Sequence, residues 1–110
     1  MSSQPLHLVA IATLQDGKLQ GALDAIKTLT EEAHKNEPGL LRYFCFTTKN
    51  EQGQDQVIFV EKYSDEEVHK VHHATAHFQA FGKKAAEFLA GPLVIRSGNY
   101  AAGFENRANL

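Results

Sequence analysis

The sequence contains no tryptophan and a single cysteine among its 110 residues. A lone thiol, Cys45, has no partner for an intramolecular disulfide. It stands in the apolar run Tyr43-Phe44-Cys45-Phe46 and reads as a small core residue, which fits a reducing compartment. There is no run of basic residues, and the net charge of -2 excludes a nucleic-acid binder that works by neutralising phosphates. No segment reaches the roughly 18 uninterrupted apolar residues of a membrane span. The start, Met1-Ser2-Ser3-Gln4-Pro5, has neither the charged region nor the apolar stretch of a secretion signal, so the expected location is cytoplasmic. Gly-x-Gly-x-x-Gly, Walker and Gly-x-Ser-x-Gly patterns are missing, which removes the dinucleotide, P-loop and nucleophile-elbow templates.

What is present is an ordinary globular composition, 43% hydrophobic and 22% charged, in a chain long enough for one core. A single domain over 1–110 is expected, with a core from about 6 to 100 and flexible ends. The periodicities alternate in type. Leu6 to Leu14 is short, apolar and partly β-branched, which reads as a strand. Gln15-Asp16-Gly17 is a turn in which Asp16 or Gly17 is placed to cap a helix from Lys18 to Lys35. Leu19, Leu23, Ile26, Leu29 and Ala33 put one apolar stripe on that helix, and Asn36-Glu37-Pro38-Gly39 stops it. Strands follow over 40–48 and 56–63, joined by a polar loop. Ser64-Asp65-Glu66-Glu67 has the spacing of a capping box led by Ser64, opening a short helix to about His72. Thr75 is placed to cap a second helix whose stripe is Phe78, Phe81, Ala85, Phe88 and Leu89. Gly91-Pro92 ends it, residues 93–100 form the last strand, and the tail from Ala101 reads as loosely held. The order is β-α-β-β-α-β, an α+β ferredoxin-like fold with both helical segments on one face of the sheet.

The strand parities carry a further expectation. Leu8 and Ala10 point opposite to Val9 and Ile11, Tyr43 and Cys45 opposite to Phe44 and Phe46, and Val57 and Phe59 opposite to Ile58 and Val60. Both faces of the sheet are therefore apolar, and the helices cover only one of them. An uncovered apolar face is an association surface, so a homodimer through the sheet face is expected.

Six histidines are present, and His69, His72, His73 and His77 cluster. His69, His73 and His77 recur at helical spacing and would share one face of a continuous helix, as metal ligands do. A helix start at Thr75 breaks that register, and no clustered Cys or carboxylate completes a set, so no metal is expected. The remaining picture is a histidine-rich helix start on an apolar sheet. Imidazole titrates near neutral pH and suits general-base work on a phenol or enol.

Three segments resemble the antibiotic biosynthesis monooxygenase family, its quinol-monooxygenase-like branch in particular. They are Glu37-Pro38-Gly39 followed by Leu40-Leu41-Arg42-Tyr43, then Val60-Glu61-Lys62-Tyr63-Ser64-Asp65, then His72-His73-Ala74-Thr75-Ala76-His77-Phe78. Tyr63 stands where Trp is usual, and Thr75 stands for Ser. The resemblance spans Leu8 to about Ile95. It implies a dimeric α+β barrel and a monooxygenase that oxidises a small phenolic, quinol or anthrone-type aromatic with O2 and needs no cofactor. The implied catalytic residues are His72 and His77, with Tyr43, Glu61, Tyr63, Phe78 and Phe81 binding the substrate. His7, Arg96 and Asn99 are peripheral candidates. Relatives that degrade haem rely on a Trp, which this chain lacks. The alternative is a non-catalytic small-ligand-binding or stress-responsive protein on the same dimeric barrel.

Overall fold

The computed structural model describes residues 4–107, so the extreme ends, expected to be flexible, lie outside the described residues. The elements run β1 (Leu6–Thr13), α1 (Leu19–Asn36), β2 (Leu40–Lys49), β3 (Asp55–Tyr63), α2 (Glu66–Ala74), α3 (Ala76–Ala85) and β4 (Val94–Asn99). The strands pair antiparallel in the order β2-β3-β1-β4, the ferredoxin-like arrangement expected. Within one chain the sheet is open, with β2 and β4 at its edges.

Local chemistry accounts for most boundaries and corrects two details. The turn before α1 needs Gly17, whose φ of +76° is costly for residues with a Cβ. The N-cap of α1 is nevertheless Lys18, which makes no side-chain capping bond, so neither Asp16 nor Gly17 fills that position. α2 is capped by Asp65 and not by Ser64: the Asp65 carboxylate accepts from Val68 N at 2.9 Å, while Ser64 N donates to Gly39 O at 2.8 Å. The β3 ladder thus holds Ser64 one residue too early to cap. Thr75 caps α3 as expected, its hydroxyl accepting from Phe78 N. α3 stops at Ala85, sooner than its apolar stripe implies, and Phe88 is buried in the turns that follow.

The inner face of the sheet carries Leu8, Ala10 and Ala12 from β1 and Val57, Phe59, Glu61 and Tyr63 from β3, all buried. Ala22 and Ile26 of α1 and Ala85 and Phe88 from the region of α3 join the same core. Cross-strand pairing puts Leu8, Glu61 and Tyr43 in one row and Ala10, Phe59 and Cys45 in the next. The small Ala10 at the centre leaves space beneath the helices, and that space holds the candidate site. Cys45 is partly buried there, which pushes its thiol above the usual range.

The outer face holds the opposite set. Val9, Phe44, Phe46 and Val94 are exposed, between 38% and 50% of their surface. Beside them the like charges of Arg42 and Lys62 stand opposite one another on β2 and β3. Glu105 pairs with both, which offsets their repulsion and anchors the tail at one point. The Lys62 and Arg42 hydrogen bonds hold the Glu105 carboxyl down at about 2.

Candidate functional site

The break at Thr75 decides which histidines meet. Its extended backbone ends α2, and its hydroxyl donates to His72 O at 2.7 Å while accepting from Phe78 N at 3.2 Å. His69 and His73 remain together on α2, ring centroids 4.5 Å apart. His77, on the far side of the break, turns to another partner.

That partner is Glu37, at the C-terminal end of α1, buried to 7% exposure. His72 Nδ1 donates to its two oxygens at 2.8 and 3.0 Å, and His77 Nε2 donates to Oε2 at 2.5 Å. The Glu37-Pro38-Gly39 segment makes this possible in two ways. Pro38 ends the helix so that the chain turns into β2 with the carboxylate left inside. Gly39 lets α2 approach: a Cβ there would stand 2.8 Å from Val68 Cγ2 and 3.1 Å from Ser64 Oγ. The ligating atoms of Glu37, His72 and His77 lie within 4.8 Å of one another, so this trio could hold a metal ion, two imidazoles and a carboxylate being a donor set that zinc and iron accept. It is not the His69, His73 and His77 combination of the helical spacing. As folded, hydrogen bonds to the carboxylate satisfy both imidazole nitrogens that face it.

His72 is 1% exposed, enclosed by the rings of Phe78 at 4.8 Å, Tyr43 at 5.2 Å and Tyr63 at 5.6 Å. Burial lowers its pKa, and Glu37 opposes only in part. The ring is therefore neutral at pH 7. With Nδ1–H given to Glu37, the lone pair is on Nε2, and that buried nitrogen has no partner.

A half-open cavity of about 40 Å³ lies between the sheet and the α2–α3 segment, with the partly exposed Leu93 and Ile95 on its β4 side. Ala10 and Phe59 form its floor, Tyr43 and Glu61 one wall, and His69, His73, Phe78 and Phe81 the helical side. His69 Nε2 is buried and unpartnered, and burial, with His73 and His72 nearby, holds its pKa below the ordinary 6.5. Burial raises Glu61 to about 7 against the lowering effect of its bond from Tyr63 Oη at 2.5 Å. Burial, reinforced by the Glu61 carboxyl, keeps the phenols of Tyr43 and Tyr63 protonated well above their usual range. The site thus offers, in one apolar space, a neutral imidazole acceptor and a carboxyl poised near neutrality.

Of the residues expected in the site, Tyr43, Glu61, Phe78 and Phe81 border the cavity. Tyr63 lies fully buried behind Glu61. His72 and His77 meet on Glu37, but neither borders this cavity; His77 faces a groove between α1 and α3. Arg96 and Asn99 spend their side chains on the backbone of Ile95 and Pro5, and His7 faces the C-terminal tail. Residue patterns alone missed Glu37, His69 and His73 as site residues. In the sequence Glu37 figures as a helix stop and as the start of a family-like segment, and His69 and His73 as members of a row at metal-ligand spacing, but none of them as part of a substrate site.

The sequence model of the antibiotic biosynthesis monooxygenase family matches residues 5–84, and the chain belongs to that family. The chain is 32% identical to the "Putative monooxygenase YcnE" of Bacillus subtilis (strain 168) over 91 residues, 82% of this chain and 93% of that protein. A solved structure from Caulobacter crescentus CB15, described as a putative antibiotic biosynthesis monooxygenase, superposes with a TM-score of 0.80 at 27% identity, covering 91% of this chain and 92% of the other. A conserved protein from Methanosarcina mazei Go1 shares the fold at a TM-score of 0.78 and 20% identity, over 90% of this chain and 95% of that one. The family and its named members support a monooxygenase-like role. No helix among the described residues is long and apolar enough to cross a membrane.

Proposed function

We propose that this protein is a cofactor-independent monooxygenase that oxidises a small phenol, quinol or anthrone with O2 in the cavity between the sheet and the α2–α3 segment. One observation carries the reading: His69 Nε2 and His72 Nε2 are buried without partners, in and just behind the wall of an apolar cavity. Buried polar atoms are rarely left unsatisfied, so an acceptor kept free here fits a ligand hydroxyl or acidic C–H. His69 borders the cavity and takes the substrate proton, because a base must reach the atom it deprotonates. His72 is a second acceptor one ring deeper, oriented by Glu37, whose other oxygen His77 holds. For anthrone, loss of a proton gives an enolate, whose carbon reduces O2 to a bound peroxide. Loss of water from that peroxide leaves the quinone, so one oxygen atom enters the product and the other leaves as water. Glu61, near neutrality, is the proton donor to the departing oxygen. The working unit is a homodimer joined through the exposed apolar sheet face, with no nucleic-acid or membrane partner.

The test is O2 uptake and ¹⁸O2 incorporation with anthrone and no added metal or flavin. The expected result is labelled quinone, with a loss of about 100-fold for His69→Ala and an acid limb of the pH profile whose midpoint lies below 6.5. Full turnover by His69→Ala removes the proposed base. Bound anthrone returned unchanged makes this a ligand-binding member of the family.

A further inference from the structure

The inner cavity of about 40 Å³ is smaller than an aromatic ring, so a wall must move before such a ligand enters. The floor does not offer this freedom, since β1 and β3 are the central strands and are paired on both sides. Phe78 is held too, its ring stacked on His73 at 4.7 Å and tilted against His72 at 4.8 Å. Phe81 is held more loosely: its aromatic contacts are edge-on to Phe59 at 6.4 Å and tilted on Phe88 at 5.9 Å.

Phe81 also borders three spaces at once. One is the inner cavity. The second is an open groove of about 250 Å³ between α1 and α3, where Ala25, Thr28 and Ala80 leave room. The third is a small apolar void of about 10 Å³ beside Ala12 and Ile26. Phe81 therefore stands between the inner cavity and an open groove large enough for an aromatic ligand. The next residue is Gly82, where a Cβ would meet nothing within 4 Å. Packing does not demand glycine there, and glycine inside a helix loosens the turn that carries Phe81.

We propose that Phe81 is the gate between the α1–α3 groove and the inner cavity, that flat apolar aromatics enter along this groove, and that the Phe81 ring limits their size. The proposal rests on the inner cavity being the ligand site, and not on the chemistry carried out there.

The experiment uses the full chain and 1-naphthol, followed by its own fluorescence in stopped flow. Ala80→Trp fills the groove from an exposed helical position and does not border the cavity. An obstacle on the path, unlike one in the site, slows entry and exit alike. Association and dissociation rates for Ala80→Trp are therefore expected to fall together by about ten-fold with Kd unchanged, against the usual pattern in which altered contacts show in the dissociation rate. Phe81→Ala is expected to raise both rates, and Phe81→Leu to do so in the same direction if the alanine variant unfolds. Binding by a Phe81 variant where the wild type binds nothing also supports the gate. Unchanged rates in both kinds of variant, with binding still weakened by His69→Ala, overturn the gate and leave the cavity as the site. A weakened Kd with faster dissociation in Ala80→Trp places the ligand in the groove and overturns it as well. No binding by wild type or any variant overturns the gate and the cavity reading together.

Discussion

The two faces of the sheet invert the usual distribution of side chains. The inner face, roofed by helices, buries Glu61 and Tyr63 and partly buries Tyr43 among its apolar residues, and the α2 segment above it buries His72. The outer face, open in one chain, exposes Phe44, Phe46, Val9 and Val94. Alternation along each strand builds both faces from the same residues in sequence, so neither is an accident of composition. Titratable groups held in an apolar interior have shifted proton affinities and serve chemistry. Apolar groups held at a surface serve association. The contrast carries the two proposals to be tested, a ligand on the inner face and a second copy of the chain on the outer one.

The largest expected effect breaks the outer half of this contrast. Phe44→Asp places an unpaired charge on each side of the proposed two-fold sheet interface and should weaken pairing by about 4 kcal/mol, roughly a thousand-fold in the association constant. Sedimentation velocity at micromolar concentration should show a dimer for the wild type and a monomer for the variant. A wild-type monomer there, or a variant that remains dimeric, means the outer face is not the interface.

A somewhat smaller effect reads the inner face. Folded Glu61 keeps its proton up to about 7, against an ordinary value of 4.5. The folded state therefore binds more protons than the unfolded chain between these limits. The stability this group contributes is complete below 4.5 and declines as the pH rises through 7, by about 3 kcal/mol at most. His69 and His72, whose pKa values are lowered, pull the other way below 6.5, so the comparison must be with Glu61→Gln. Urea unfolding of the two proteins at pH 4.5 and pH 7.5 should show the variant gaining on the wild type as the pH rises. A constant difference would remove the buried carboxyl from the inner face's account.

Two glycines sharpen the contrast further. Gly39→Ala forces a Cβ against Val68 and should cost about 1–3 kcal/mol, because α2 must lift from the sheet. Gly82→Ala meets open space and should stabilise by up to about 1 kcal/mol. Thermal melts give both signs. A neutral Gly39→Ala would show that α2 does not depend on that close approach.

Much of the fold was legible in local patterns. The apolar stripe of α1, the stop at Pro38 and the Thr75 break all appear in the structure within a residue or two of their expected places. The α2 cap was misassigned because Ser64 and Asp65 both suit that role, and only the β3 ladder decides between them. The site was half legible. Tyr43, Glu61, Phe78 and Phe81 follow from strand parity, helix stripe and family resemblance, and they line one cavity. Glu37 was legible as part of the Glu37-Pro38-Gly39 segment but its histidine partners were not, since a carboxylate before Pro-Gly looks locally like any solvated helix end.

By itself the sequence determined the order of elements, the two apolar faces of the strands and the interruption between α2 and α3, because those features depend on neighbours a few residues away. Only the tertiary structure decided that Glu37 would receive His72 from 35 residues away and His77 from 40, and that His69 would face the cavity. The reason is physical: periodicity sets which side of an element a residue occupies, while the partner of a buried charge is set by which elements the β2-β3-β1-β4 sheet and its helical layer bring together.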